Sequence, residues 1–289
     1  MASSLHMEQD CSVVAYPVEL IYVWVTLMVR LSSRMHLYLI RHAQSINNEL
    51  YARTGSDDGR HPDPPLTDVG RRQAQLLAQF LAGPTDSADA VEKELLYGYA
   101  ARHNRTGFAL THLYCSLMIR AIETGNYVSA ATGLPLVAWQ EVHERGGLHL
   151  VDEASGEDIG LPGPNHDWLS AAYPNLVLPD GLGDAGWWNQ PRENIEDAIV
   201  RARAAITQLL DRHGDTDDHV AVITHGGFFQ SLLEVLLTGG ELASQLANGR
   251  QIWFGMSNAS ISRFEINDGY LGVRYLNRVD FLPNELITG

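Results

Sequence analysis

From residue 35 onward, short apolar runs alternate with segments whose apolar positions recur at helical spacing, which predicts an α/β fold. The first run, His36-Leu37-Tyr38-Leu39-Ile40, reads as a strand and puts the start of the domain at Met35. Thr67 suits the N-cap of a helix with the apolar stripe Val69, Leu76, Leu77, Phe80 and Leu81, stopped by Gly83-Pro84. A polar stretch over 85–106 leads to a strand from Phe108 to Cys115, a helix from about Leu117 to Ala131 and a short strand from Leu136 to Trp139. Between Gly146 and Pro191 the chain is rich in Gly, Pro, Asp and Trp without clear periodicity, an excursion from the core that could serve as a lid. A helix over Glu193 to His213 closes at Gly214, and a β-branched run from Val220 to Thr224 breaks at His225-Gly226-Gly227 before a helix over Phe228 to Leu237. Ser260 to Ile266 and Leu271 to Tyr275 form a final pair around Asn267-Asp268-Gly269. The pattern thus predicts a domain over 35–289, a three-layer α/β/α sandwich with a central, mostly parallel sheet, carrying insertions at about 85–106 and 146–191.

Residues 1–34 stand apart as an N-terminal extension, either outside the native domain or packed on it as an extra helix. Leu20 to Val29 is apolar for only ten residues between Glu19 and Arg30, too short to cross a bilayer, and no basic segment precedes it as in a signal peptide. Composition narrows the function. With 289 residues, 45% of them hydrophobic, the chain can bury a sizeable core. Twenty Lys and Arg against 35 Asp and Glu give a formal charge of −15, which argues against nucleic acid or anionic membrane as the main partner. Lys93 is the sole lysine, so an anion site must use Arg, His and backbone N–H groups. Cys11 and Cys115 make neither a disulfide framework nor a metal-ligand spacing, which suits a reducing, cytoplasmic compartment.

Two predicted strands end in histidine, at Arg41-His42 and at His225. Ligands of open α/β sheets bind beyond the carboxyl ends of the strands, so both can face one crevice. An Arg-His pair alone says little, since Arg102-His103 and Arg212-His213 also occur, the latter suited to a helix C-terminus. The surrounding blocks say more. Leu39-Ile40-Arg41-His42-Ala43-Gln44-Ser45 with Asn48 resembles the opening motif of the histidine phosphatase (phosphoglycerate mutase-like) superfamily. Asp63-Pro64-Pro65-Leu66-Thr67-Asp68-Val69-Gly70 with Gln73-Ala74 is similar to its second block, and Cys115 to Ala121 with Thr124 to its third. Val142-His143-Glu144 and Thr224-His225-Gly226-Gly227 complete five blocks in order, from about Met35 to Arg278.

The resemblance implies a histidine phosphatase-like fold and catalysis without metal or other cofactor on a small phosphorylated substrate. His42 would form a phosphohistidine, splitting one hard displacement into two easier ones. Arg41 and Arg120 would grip the phosphoryl oxygens with directed bonds from planar, always-charged guanidinium groups. His225 would donate to the same oxygens as charge develops, and Asn48 would line the pocket. A leaving alkoxide needs a proton, for which Glu144 is the expected donor and Glu141, three residues earlier, the alternative. Gly226 and Gly227 either open a helix whose N–H groups face the phosphate or only make a tight turn. Ser116 and Thr124 match the pattern but read first as structural.

Other signals fall away. Gly181-Leu182-Gly183-Asp184-Ala185-Gly186 satisfies G-x-G-x-x-G without a strand before it or a long helix after it. His143-Glu144 with His149 is too widely spaced for a zincin and is interrupted by Gly146-Gly147. Gly255 to Ala259 approaches a nucleophile elbow, yet no histidine follows His225. Trp168, Trp187 and Trp188 read either as a pocket wall or as the private core of the excursion. Ala43 replaces the Gly usual after the catalytic histidine, and Gly227 stands where mutases carry Asn. The Tyr and Lys of mutases after the acidic residue are missing, as is their Arg-Arg pair. These departures favour a phosphatase, with a cofactor-dependent phosphoglycerate mutase and an inactive ligand- or partner-binding member as alternatives. Monomer and homodimer both stay open.

Overall fold

The first strand, β1 (Met35–Arg41), shows why the sandwich has two cores. Successive side chains point to opposite faces, so Leu37 and Leu39 enter one apolar cluster while Tyr38 and Ile40 enter the other. The computed structural model describes residues 34–83, 103–105, 107–152, 154–240, 252–267 and 269–289. The extension up to residue 33 and nearly all of the insertion over 85–106 lie outside the described residues, as does Asp268 of the final turn.

After β1 come α1 (Ile46–Thr54), α2 (Asp68–Ala82), β2 (His112–Cys115), α3 (Ile119–Thr132) and β3 (Leu136–Ala138). A 3-10 turn over Gln140–Val142 precedes β4 (His149–Val151), β5 (Asp158–Gly160), α4 (His166–Ala172) and β6 (Leu176–Val177). The chain closes with α5 (Ile195–His213), β7 (His219–Thr224), α6 (Gly226–Thr238), β8 (Ile261–Asn267) and β9 (Tyr270–Arg278). Seven strands form one sheet in the order β6-β3-β2-β7-β1-β8-β9, parallel from β6 to β1 and antiparallel at β8 and β9. Residues of α2, α3 and α4 pack in the cluster on one face, those of α5 and α6 in the cluster on the other.

Several elements depart from the sequence pattern. The strand expected from Phe108 begins only at His112, because Ala109 takes a φ of +47°. Helix α2 buries Gly70, Gln73, Ala74, Leu77, Ala78 and Leu81, a face rotated from the expected stripe. Close approach causes the rotation: a Cβ on Gly70 would lie 2.0 Å from the Gln44 carbonyl oxygen, so small residues must face that loop. The excursion over 146–191 is also more ordered than predicted. It holds the β4-β5 hairpin and α4, and its β6 adds a parallel edge to the main sheet beside β3. Its core is Trp187 and Trp188, both buried and 5.9 Å apart between centroids, whereas Trp168 is exposed.

Candidate active site

Parallel register brings the two histidines together. Arg41 of β1 pairs with Thr224 of β7, so the residues that follow, His42 and His225, leave the sheet side by side with ring centroids 5.1 Å apart. Strand β2 ends at the same level, where Ser116 N–H donates to the Ile223 carbonyl, and the chain then turns into α3, which carries Arg120.

His42 is buried and held at both nitrogens. Its Nδ1 lies 2.7 Å from the Ala43 carbonyl, which can only accept, so Nδ1 carries the proton. Arg120 Nε, which can only donate, lies 3.1 Å from Nε2, so Nε2 presents a lone pair. Burial, then the charges of Arg120 and Arg41, push the His42 pKa well down and keep the ring neutral. His225 is fully buried and likewise pushed well below the ordinary histidine value, first by burial and then by Arg120. Its Nε2 lies 2.8 Å from Ser116 Oγ, while Nδ1 is buried without a partner.

Around the histidines the loop after β1 is fixed from several sides. Thr124 Oγ1 accepts from Ala43 N–H at 3.1 Å and donates to the Arg120 carbonyl at 2.7 Å, tying the His42 and Arg120 segments together. Gln73 Oε1 accepts from Gln44 N–H, and Asn258 Nδ2 donates to the His42 carbonyl at 3.2 Å and to Asn48 Oδ1 at 3.1 Å. Asn48 closes a capping box with Ser45 at the start of α1 and lines the cleft. Arg41 donates to the Met256 carbonyl, and its Nε is buried without a partner. Burial lowers the pKa values of both Arg41 and Arg120, and the charge of Glu144 opposes this at each. Asp63 accepts from Ile119 N–H at 3.0 Å and lies 3.8 Å from Arg120 Nη1. Burial pushes its carboxyl up to about 6 against the pull of Arg120, and Oδ2 has no partner.

The two candidate acids separate. Glu144 lines the cleft with Arg41, His42 and Arg120, whereas Glu141 turns to α5, its Oε1 accepting from Gln208 Nε2. Arg201 of α5 fixes this division by donating to the Glu141 and His143 carbonyls while it grips Glu193 with two bonds. The start of α6 is occupied differently from expectation. Gly227 and Phe228 donate their N–H groups to the Glu144 carboxylate at 3.1 and 2.8 Å, so this turn holds an internal anion. Gly226 lines the cleft with its Cα 's open side toward Arg41, where an added Cβ would be 3.4 Å from Nε.

The fold therefore brings His42, Arg41, Arg120, His225, Asn48, Glu144 and Gly226 to one end of the sheet, six of them on a cleft of about 910 Å³ and His225 against His42 beneath it. Asp63, Gln73 and Asn258 join the site with no role expected from the sequence pattern. Asp63 and Gln73 stand within the second block, and Asn258 lies in the stretch set aside as a false elbow. Cys115 is a free, buried thiol whose pKa burial pushes up.

Two buried imidazoles, buried guanidinium groups and a carboxylate thus meet at one crevice of an α/β sheet. The model of the histidine phosphatase superfamily (branch 1) matches residues 37–91 and 98–279, and the chain belongs to that family. No curated protein matches the sequence. Among solved structures it is similar to mycobacterial glucosyl-3-phosphoglycerate phosphatase, with 19% identity and a TM-score of 0.50 over 85% of this chain and all of the other. A putative alpha-ribazole-5'-P phosphatase from Escherichia coli matches with 20% identity and a TM-score of 0.50 over 84% of this chain and 96% of that one. A phosphoglycerate mutase from Bacillus anthracis matches with 18% identity and a TM-score of 0.51 over 86% and 96%. Among the described residues no helix is long and apolar enough to cross a membrane.

Proposed function

We propose that the protein is a metal-independent phosphomonoester hydrolase acting through a phosphohistidine on His42. The observation that carries the reading is the pair of bonds at His42. The Ala43 carbonyl holds the proton on Nδ1 and Arg120 faces the lone pair of Nε2, so a neutral nucleophile stands beside a fixed positive charge. Arg120 gives up its bond to Nε2 for the phosphoryl oxygens, which it takes with Arg41; the freed lone pair attacks phosphorus in line, and the bond from phosphorus to the ester oxygen breaks. Ser116 Oγ accepts from Met118 N–H at 3.0 Å and turns its O–H to His225 Nε2, leaving the Nδ1–H of His225 to donate to the same oxygens.

Glu144 supplies the proton to the departing alkoxide. The carboxylate then takes a proton from water, which attacks phosphorus and releases phosphate, restoring the His42 lone pair. Gly227 leaves the Glu144 carboxylate its seat, since a Cβ there would lie 2.6 Å from Oε1. Phosphate release from a panel of monoesters in excess EDTA, with His42→Ala beside it, tests the reading. Release that persists in EDTA and vanishes in the variant is expected; a variant near the wild-type rate overturns the mechanism. Glu144→Gln should lose most activity on alkyl phosphates and less on nitrophenyl phosphate, and equal losses would remove the acid role.

A further inference from the structure

A second cluster of side chains with chemistry of its own lies at the other end of the sheet. Strand β2 begins with His112, α5 ends with His213, and Asp218 directly precedes β7. The length of β7, at about 3.3 Å per residue, puts roughly 20 Å between this cluster and the candidate active site. Topology makes the three residues meet. Parallel pairing sets His112 opposite Val220, and Thr111 N–H donates to the His219 carbonyl at 2.9 Å, so β2 starts beside the chain that enters β7. His112 and Tyr114, two positions apart on one strand, turn the same face to α5, where the His213 ring centroid lies 4.5 Å from that of His112. The turn after α5 is fixed as well. Thr216 Oγ1 donates to the His213 carbonyl at 2.8 Å and accepts from Asp218 N–H at 3.1 Å. The Asp218 carboxylate thereby stands 2.8 Å from His213 Nδ1 and 3.7 Å from His112 Nδ1. One ligand atom from each of the three lies within 4.8 Å of the other two, and no other group of His, Cys, Asp or Glu among the described residues meets that spacing.

We propose that His112, His213 and Asp218 form a binding site for a divalent ion of the zinc type, with water as a fourth ligand. Imidazole and carboxylate together suit zinc, and three protein ligands with one open position are an arrangement that zinc takes. Bonds of about 2.0–2.1 Å in a tetrahedron hold ligand atoms about 3.4 Å apart, between the two separations found here, so small side-chain shifts admit the ion. The outer partners are in place too. Tyr114 Oη lies 3.0 Å from His213 Nε2 and can accept from an Nε2–H, which leaves the Nδ1 lone pair to the ion in place of the proton now donated to Asp218. Thr111 Oγ1, 2.9 Å from His112 Nδ1, has Asp218 Oδ1 and the His219 carbonyl, each at 3.3 Å, as other acceptors for its O–H. Arg212, the cation beside His213 in sequence, is engaged elsewhere, donating to Gln208 at 3.1 Å and lying over the Trp139 and Tyr114 rings at 4.9 and 5.8 Å. The site does not depend on the hydrolase reading. An ion there clamps the ends of three elements and is remote from the ester.

Calorimetric titration of the full chain with zinc, after treatment with EDTA and dialysis, tests the site. A first equivalent should bind with a dissociation constant in the micromolar range or below and raise the melting temperature. Magnesium should not bind there, since it keeps to oxygen ligands. His112→Gln, at a partly exposed position, and Asp218→Asn, close in shape to the native side chain, should each weaken zinc at least about tenfold, a loss that even partners outside a ligand set produce. If one variant fails to fold, the other decides. Absence of zinc binding in the micromolar range overturns the proposal, as does magnesium binding of equal strength. An isotherm that either folded variant leaves unchanged also overturns it, because the zinc then sits elsewhere, such as at the histidines of the cleft.

Discussion

At the scale of single residues, the site works by fixing which atom carries which proton. The Ala43 carbonyl and Arg120 Nε decide the His42 tautomer, and Asp63 stands behind Arg120, 3.8 Å from Nη1. The Asp63 carboxyl is raised to about 6 from its ordinary 3.8 by burial, so the folded state binds its proton more tightly than the unfolded chain does. Stability from this group is complete below pH 3.8 and is lost as the pH rises through about 6, a change on the order of 3 kcal/mol. Asp63→Asn removes that titration. Urea unfolding at pH 4 and pH 7 should therefore show the variant gaining on the wild type at the higher pH by about that amount; a stability difference independent of pH would show that Asp63 titrates at its ordinary value. The residues that meet at the cleft were legible in the sequence because each sits in a block with its own spacing. Asp63 and Asn258 were not, because their roles depend on contacts across the chain, 56 residues to Ile119 and 216 to His42.

At the scale of elements, the strand ends and the first turn of α6 do most of the positioning. Strand β1 and strand β7 were readable from their apolar runs, and their parallel pairing follows from the α/β alternation. The rotated face of α2 was not readable, since it is set by the approach of Gly70 to the Gln44 backbone rather than by hydrophobicity. The early start of α6 has a similar cause. Glu144 caps it from a separate loop, so the helix begins at Gly226 instead of at Phe228. Gly227→Ala tests this arrangement. A Cβ 2.6 Å from Glu144 Oε1 must move the carboxylate, while Ala in a helix is favoured over Gly by about 0.5–1 kcal/mol. The variant should keep or raise its melting temperature yet lose about tenfold or more in kcat on alkyl phosphates, the range of one general-acid contribution. A drop in melting temperature with unchanged kcat would mean that the α6 cap is structural only.

At the scale of the whole molecule, the placement of neutral histidines governs the response to acid. His143 is wedged between Trp187 and Trp188, with centroid distances of 5.4 and 4.7 Å, and is lowered to about 3 by burial and by Arg201. His36, at the opposite edge of β1, is lowered to about 4 by burial and by His219 and Arg263. His42 and His225 shift in the same direction. For each, the folded pKa lies below the unfolded 6.5, so its contribution is complete above pH 6.5 and is lost as the pH falls toward the folded value. Each such ring costs about 1.4 kcal/mol per pH unit within its window, and the single opposing titration of Asp63 offsets one of them. The unfolding free energy should thus fall by several kcal/mol between pH 7 and pH 5, far more than carboxylate protonation alone would give in that range. His143→Phe keeps an aromatic ring between the two tryptophans and takes one titration away. Its stability, followed by urea unfolding in steps from pH 7 to pH 5, should decline less steeply than that of the wild type by about 1.4 kcal/mol per unit near pH 5. Parallel curves for the two proteins would show that His143 titrates alike in the folded and unfolded chain and that the acid response arises elsewhere.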